Sequence, residues 1–451
     1  MKSSRFCISF YYLELYRMSA AVVPETVDVP LLKDEASSMG LMMAPGIATI
    51  TFYKGDVRAA EPALQAQLAK VVAANPWLAG KLVKSKAHGV VIRHPAEPSE
   101  ADLGRLFFAS SSPAGGAADK KKAFKFAPGT PYMKLCADLY KSSVMVGSGS
   151  AIVGKDKYVS SLTLAESSEA GSFALVFSLS HSVGDGRTYY EVLSMLRPGA
   201  DVRALSSARV MGFGESMRDQ CDRKPLEWVD KPATLCGMIC GMSCNPKAKV
   251  YAFYLDDEKL AAAKAAGAQP GGGAAVPYVS TNDVLTSGFF KECGTRIGMM
   301  GMDCRGRLEG VGADLAGNYV TALVLDAGAF GSPAALRRLL QKGPPYTTIT
   351  GKLPSCAALC CAAKANRFAM ASNWSAFAKK GDGLVALDGC ELSLHLPVQP
   401  AKMFTFDNLI PFTSGAGRVG VLCATVSTDE AGLRASLPLG DVVSKELFPD
   451  K

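Results

Sequence analysis

The sequence is poor in histidine, in long apolar runs and in paired cysteine motifs, and each shortage narrows the function. Only four histidines occur in 451 residues: His88, His94, His181 and His395. No segment reaches the ~18–20 uninterrupted apolar residues of a membrane-spanning helix. Thirteen cysteines are present, but they form neither zinc knuckles nor a regular disulfide framework. Cys236, Cys240 and Cys244 recur every fourth residue, which puts them on one helical face. No histidine lies near them, whereas zinc sites join closely spaced cysteine pairs with further Cys or His ligands. They read as packed helix cysteines, and so do Cys356, Cys360 and Cys361 in an Ala/Leu-rich segment. No metal is expected. An odd number of unpatterned thiols suits a reducing compartment, so a cytoplasmic location is expected.

Charge excludes little. The net charge is +8, and the basic residues are scattered apart from Lys120, Lys121 and Lys122. No nucleic-acid-binding motif accompanies them, which argues against a nucleic-acid partner. A mildly basic surface suits an anionic substrate. Hydrophobic content of 48% and charged content of 20% describe a globular protein. The length predicts two domains, and a monomer is expected. Residues 1–17 begin like a signal peptide, but Glu14 and Arg17 cut the apolar run short. They are expected to be a disordered extension. Read along the chain, the pattern of predicted strands and helices gives an N-terminal domain over 18–200, a connector over 201–246 and a C-terminal domain over 247–451.

Residues 46–53 read as a strand, and Leu64, Leu68, Val71 and Val72 mark a helix from Glu61 to Ala74. Asn75-Pro76 stops that helix. Strands are predicted over 82–92, 144–153 and 157–164, with a polar loop over 110–122. A near-continuous apolar run, Phe173 to Leu179, leads into His181 and then into a helix from Thr188 to Leu196. In the second half, Val250–Leu255 read as a strand, and Asp256-Asp257 cap a helix through Ala266. Gln269 to Ala275 form a flexible loop.

A buried strand ending in a histidine holds an imidazole at a fixed point. Histidine is the side chain whose unperturbed pKa, about 6.5, suits proton transfer near neutrality. His181 is therefore the candidate base. Asp185 precedes a helix, which suits an N-cap, and Gly186 permits a tight turn beside the ring. His88 and His94 are expected at the surface. His395, in an alternating strand, is expected to be structural.

The segment His181-Ser-Val-Gly-Asp185-Gly186 resembles the H-x-x-x-D-G motif of the BAHD acyltransferases, relatives of chloramphenicol acetyltransferase. Other segments agree in order. Asn75-Pro-Trp-Leu-Ala-Gly80-Lys-Leu82 resembles the opening strand of that family. Ser280-Thr-Asn-Asp283-Val-Leu285 resembles its second-half helix start. Asp303-Cys-Arg305-Gly-Arg307-Leu308, followed by Gly317-Asn318, and Ser372-Asn-Trp374-Ser375, which resembles the family's S-x-W strand, complete the set. The family's C-terminal D-F-G-W-G is absent; Asp407-Asn408 stand at about its place and keep only the aspartate.

The resemblance implies an α/β fold of two chloramphenicol-acetyltransferase-like domains, each a mixed sheet flanked by helices, with a tunnel between them. It implies acyl transfer from acyl-CoA, as co-substrate and not bound cofactor, to a hydroxyl or amine of a small molecule, with His181 as general base. Asp185 would then form a buried salt bridge, with Arg305 the first candidate partner and Arg307 the second. Asn318 caps a turn or borders the CoA channel. Trp374 packs in the core or lines that channel, and Ser375 lies beside it. An oxyanion needs a hydrogen-bond donor; the Gly186 and Ser375 amides and the Trp374 indole are candidates. Two alternatives stand beside this reading. One is a condensation-type transferase using a carrier-bound thioester, against which Ser180 speaks. The other is a non-catalytic member of the fold.

Overall fold

The computed structural model describes residues 25–43, 46–109, 124–142, 144–269, 276–354, 367–378, 383–400, 405–415 and 417–449. The expected extension over 1–17, the loop over 110–122 with its lysine run, and Cys356, Cys360 and Cys361 lie outside the described residues.

Among the described residues, the strands before residue 200 are β1 (Thr26–Pro30), β2 (Ile47–Lys54), β3 (Lys81–Ser85), β4 (Gly89–Pro95), β5 (Phe107–Ala109), β6 (Ser160–Glu166) and β7 (Ser172–Leu179). Those after it are β8 (Lys249–Leu255), β9 (Ile297–Asp303), β10 (Val320–Asp326), β11 (Phe368–Ala371), β12 (Glu391–Val398), β13 (Asp407–Gly415), β14 (Arg418–Thr425) and β15 (Leu439–Val442). They form a five-stranded sheet, β12-β2-β7-β6-β5, and a seven-stranded sheet, β10-β9-β11-β13-β14-β8-β15. A small sheet, β1-β4-β3, stands beside them. Both large sheets are mixed: β5 runs parallel to β6, and β11 runs parallel to β9 and β13.

The apolar run before His181 is β7, paired on one side with β2 and on the other with β6. It is covered on both faces, which is why its sequence does not alternate. The two faces still differ. Phe173, Leu175, Phe177 and Leu179 pack with the helices Val57–Ala74 and Gly186–Met195. Ala174 and Val176 face the other large sheet, in a core shared with Ile410, Phe412 and Leu422. Small residues on that face let the two sheets come together. Each large apolar side chain buried here contributes about 1.5–3 kcal/mol. The helix before Pro76 starts at Val57, ahead of the expected Glu61, because the Asp56 side chain accepts the Arg58 N–H as an N-cap.

Four expectations are corrected. Residues 144–153 are not a strand: the Val146 N–H donates to Ser178 Oγ at 3.0 Å, and Gly149–Ile152 form a helical turn. A Cβ on Gly149 would lie 2.3 Å from Ser182 Oγ, so the chain passes the His181 turn too closely to carry a strand there. His94 is buried, not at the surface; it shares a face of β4 with buried Ile92, and its Nδ1 lies 2.8 Å from the Pro95 carbonyl. His88 is exposed in the β3–β4 turn. The cysteine face of the helix Pro232–Cys244 points outward: Cys236, Cys240 and Cys244 are exposed. Leu235 and Met238 take the inner side instead, where they line a cavity. Finally, Ser372 to Ser375 follow β11 as a turn and do not belong to a strand.

Residues 201–246 hold the helices Phe213–Gln220, Arg223–Asp230 and Pro232–Cys244. β12, from the second half, completes the first sheet by pairing with β2 from Glu391–Lys54 to Val398–Ala48. No helix among the described residues is long and apolar enough to cross a membrane.

His395 on β12 is fully buried, with Nδ1 2.8 Å from Thr51 Oγ1 and Nε2 3.3 Å from the Tyr190 hydroxyl. Burial pushes its pKa down from 6.5 to about 3, so the folded protein holds it neutral. The unfolded chain binds a proton there that the folded chain does not. Stability from this residue is therefore full above pH 6.5 and is lost as the pH falls towards 3. Urea unfolding across that window should show stability falling by up to about 1.4 kcal/mol per pH unit from this group. His395→Asn should remove that share of the slope; an unchanged slope would contradict it.

Candidate active site

His181 lies two residues beyond β7, in a turn that leads to the helix Gly186–Met195. Its Nδ1 is 3.1 Å from Asn318 Oδ1. The Asn318 Nδ2 donates to two acceptors, the His181 carbonyl at 2.8 Å and Glu35 Oε1 at 3.0 Å. The Asn318 backbone N–H donates to the same Glu35 oxygen at 2.8 Å. With both donor bonds spent in that direction, Oδ1 is left to face the ring as an acceptor. Nδ1 must then carry the imidazole proton, and Nε2 presents its lone pair. His181 lines a cavity of about 480 Å³ between the two large sheets.

The network continues behind Asn318. Glu35 Oε2 accepts from Arg209 Nε at 2.9 Å and from the Leu32 N–H at 2.9 Å. Both charged side chains of this pair are 1% exposed. Arg209 also donates to the carbonyls of Val183, Ser207 and Ala316. Gly317 packs directly against this bundle. Its φ is +144°, and a Cβ there would come within 3.1 Å of Arg209 Nε.

Asp185 does two jobs at once. It caps the helix by accepting the Thr188 N–H at 2.9 Å. It also accepts Arg305 Nη1 at 2.9 Å, Arg305 Nη2 at 3.2 Å and the Tyr319 N–H at 2.9 Å. Arg305 further donates to the Leu315 and Gly317 carbonyls and to Asp303. Its side chain is 1% exposed. Burial alone would lower the guanidinium pKa, but Asp185 and Asp303 more than offset it and hold it above its ordinary value. Arg307, the second candidate partner, stands by Tyr346 instead.

The remaining candidates divide. Gly186 is not a left-handed turn; it opens the helix, and a Cβ there would lie 3.1 Å from the Phe377 ring. Trp374 lines the cavity and packs edge-on against Tyr190 at 6.2 Å. Its indole N–H is spent on Ser372 Oγ at 3.1 Å, so it is not an oxyanion donor. Ser375 is not in the cavity wall. Its N–H goes to the Pro411 carbonyl and its hydroxyl to Asn373 Oδ1. The residue with a hydroxyl to give is Ser372, which lines the cavity and accepts from the indole. Glu35, Arg209 and Ser372 were not among the sequence candidates. Ser372 opens the quoted Ser-x-Trp motif and was within reach. Glu35 and Arg209 carry no local pattern to mark them.

A second cavity of about 480 Å³ opens beside Phe52, Phe126 and Leu447. Lys54, Glu169 and Glu446 are its charged groups and no histidine lines it, so it has no counterpart of the His181 imidazole. Among the described residues, no three His, Cys, Asp or Glu side chains are grouped to hold a metal.

No family model matches the sequence, and no curated protein matches it. Solved structures do. The chain is similar to polyketide synthase associated protein 5 from Mycobacterium tuberculosis, at 12% identity and a TM-score of 0.53, over 91% of this chain and 97% of that one. It is similar to F. graminearum TRI101 complexed with coenzyme A and deoxynivalenol, at 14% identity and a TM-score of 0.54, over 93% and 100%. F. sporotrichioides TRI101 complexed with coenzyme A and T-2 matches at 14% identity and 0.53, over 93% and 100%. At such identities the likeness is one of fold. The chain has the mixed α/β, chloramphenicol acetyltransferase-like fold of these structures, built on two large sheets.

Breaking the buried Asp185–Arg305 pair by Asp185→Leu should cost about 3–5 kcal/mol, because it strands a buried guanidinium. Adding Arg305→Met should recover part of that loss in urea unfolding. Losses that simply add would mean the two residues are not coupled.

Proposed function

We propose that the protein transfers an acyl group from acyl-CoA to a hydroxyl or amine of a small molecule, with His181 as general base. The observation that carries this reading is the imidazole itself. Its Nδ1 proton is committed to Asn318, so Nε2 is the basic nitrogen, and the ring lines a cavity large enough for a small molecule.

The acceptor's O–H or N–H gives its proton to His181 Nε2 as the oxygen or nitrogen attacks the thioester carbonyl. The carbonyl π electrons move to oxygen, and a tetrahedral oxyanion forms. The Ser372 hydroxyl, held by the Trp374 indole, is the side-chain donor suited to that oxygen. On collapse the carbon–sulfur bond breaks. The leaving thiolate takes the proton from His181, which returns the ring to its starting state. Acceptor and thioester meet in one site, so no covalent acyl-enzyme is needed. Asp185 and Arg305 act through the loop they hold, and Glu35 acts through Asn318; they are positioning residues. CoA as donor is supported by the coenzyme A bound in both TRI101 structures of the same fold, and by a net charge of +8, which suits an anionic co-substrate.

The test is free-CoA release by purified protein given acetyl- and longer acyl-CoA with a panel of alcohols and amines. His181→Ala should lower the rate by about 10²–10⁴-fold. Asn318→Leu should lower kcat more than it raises KM. Full activity in His181→Ala would refute the mechanism. Turnover supported by a phosphopantetheinyl carrier protein, but not by CoA, would move the donor to a carrier.

A further inference from the structure

The wall of the His181 cavity contains a buried asparagine, Asn408, that the chemistry above does not use. β9, β11 and β13 present alternate residues to this cavity. Met370 on β11 stands in register with Met299 on β9 and with Asn408 on β13. Phe368, Phe406 and Ile410 flank this row. Val229, Leu235 and Met238, from the two helices before β8, close the same chamber. An asparagine therefore stands among thioethers, aromatic rings and aliphatic side chains. Asn408 is 2% exposed, and its Oδ1 has no hydrogen-bond partner. Its neighbours on β13 are Asp407, which is fully used in accepting from Thr425, Val426 and Ser427, and Leu409, which packs in the core on the opposite face.

Asparagine is disfavoured in strands, and a buried acceptor left unmet destabilises the fold. A leucine or methionine here would continue the chamber wall without either cost. Such a group is readily explained by a ligand that supplies the missing donor, since buried polar atoms in proteins are otherwise satisfied. We infer that Asn408 is a specificity-determining residue: its Oδ1 accepts a hydrogen bond from a second hydroxyl or N–H group on an acceptor whose body is apolar. The acceptor's reacting hydroxyl is at His181, its apolar body lies along the Met299–Met370 row, and its second polar group reaches Asn408. This rests on the acyl-transfer reading for the reacting end, and on the chamber alone for the other.

A series of α,ω-alkanediols of increasing length scans the unknown span between the two ends. Each is compared by calorimetric titration with the primary alkanol of the same length. One diol should bind wild-type protein about tenfold more tightly than its alkanol, the worth of one well-placed hydrogen bond. Asn408→Leu should abolish that advantage while melting at or above the wild-type temperature. Asn408→Ala should abolish it too and serves if the leucine does not fold. No diol advantage at any length, or an advantage that survives both substitutions, overturns the assignment. The readout is binding and not turnover. An Asn408-dependent diol preference without any CoA release would therefore count against the acyltransferase reading and in favour of this one.

Discussion

The Arg305 guanidinium organises the centre of this molecule. It belongs to the turn after β9 of the seven-stranded sheet, yet it bonds Asp185, which follows β7 of the five-stranded sheet. The same guanidinium holds the Gly317 carbonyl, and Asp185 holds the Tyr319 N–H. Residues 317–319 are thereby pinned against residues 181–188. Asn318 lies in the middle of that pinned segment, so the position of the imidazole's partner follows from an ion pair elsewhere. Buried ion pairs are weak sources of stability, because desolvation takes back most of what attraction gives. Their geometry is another matter. A forked donor with five N–H groups and a capping carboxylate fit together in few ways.

The second buried pair, Glu35 with Arg209, serves the same end from the other side. It ties the segment before β2 to the connector and to Asn318. His181 is thus approached by three separate stretches of chain, each anchored by a charge that water does not reach. A residue in a turn, outside any ladder of hydrogen bonds, is thereby held through Asn318. This anchoring also accounts for the crowding at Gly149 and Gly317, where other side chains would collide with the bundle.

Much of this was legible in the sequence because local rules wrote it. The unbroken apolar run of β7 announces a strand buried on both faces, and the Asp185 and Ser280 caps mark helix starts. The Arg305 partnership came from the family resemblance and not from spacing. What stayed hidden was long-range. Glu35 meets Asn318 across 283 residues, and nothing near it in the chain signals a buried carboxylate. The helix Pro232–Cys244 is apolar nearly all round, so periodicity could not say which side faces in; the cavity takes Leu235 and Met238 and leaves the cysteines outside. Asn408 only follows Asp407, the remnant of a missing motif, and its setting among Met299 and Met370 depends on strand register, which one sequence does not give. β12 crosses to the other sheet for the same reason: its alternating pattern fixes a strand but not its neighbour.

The central claim is that the protein holds His181 with its proton on Nδ1 and its lone pair on Nε2, facing the cavity. Nitrogen-15 NMR of protein labelled at its four histidines reads this directly, with the His181 signals identified by their loss in His181→Ala. At a pH where the ring is neutral, the account predicts a protonated Nδ1 and a bare Nε2. A proton on Nε2 would contradict it, because the ring nitrogen on the cavity would then be a donor and not a base.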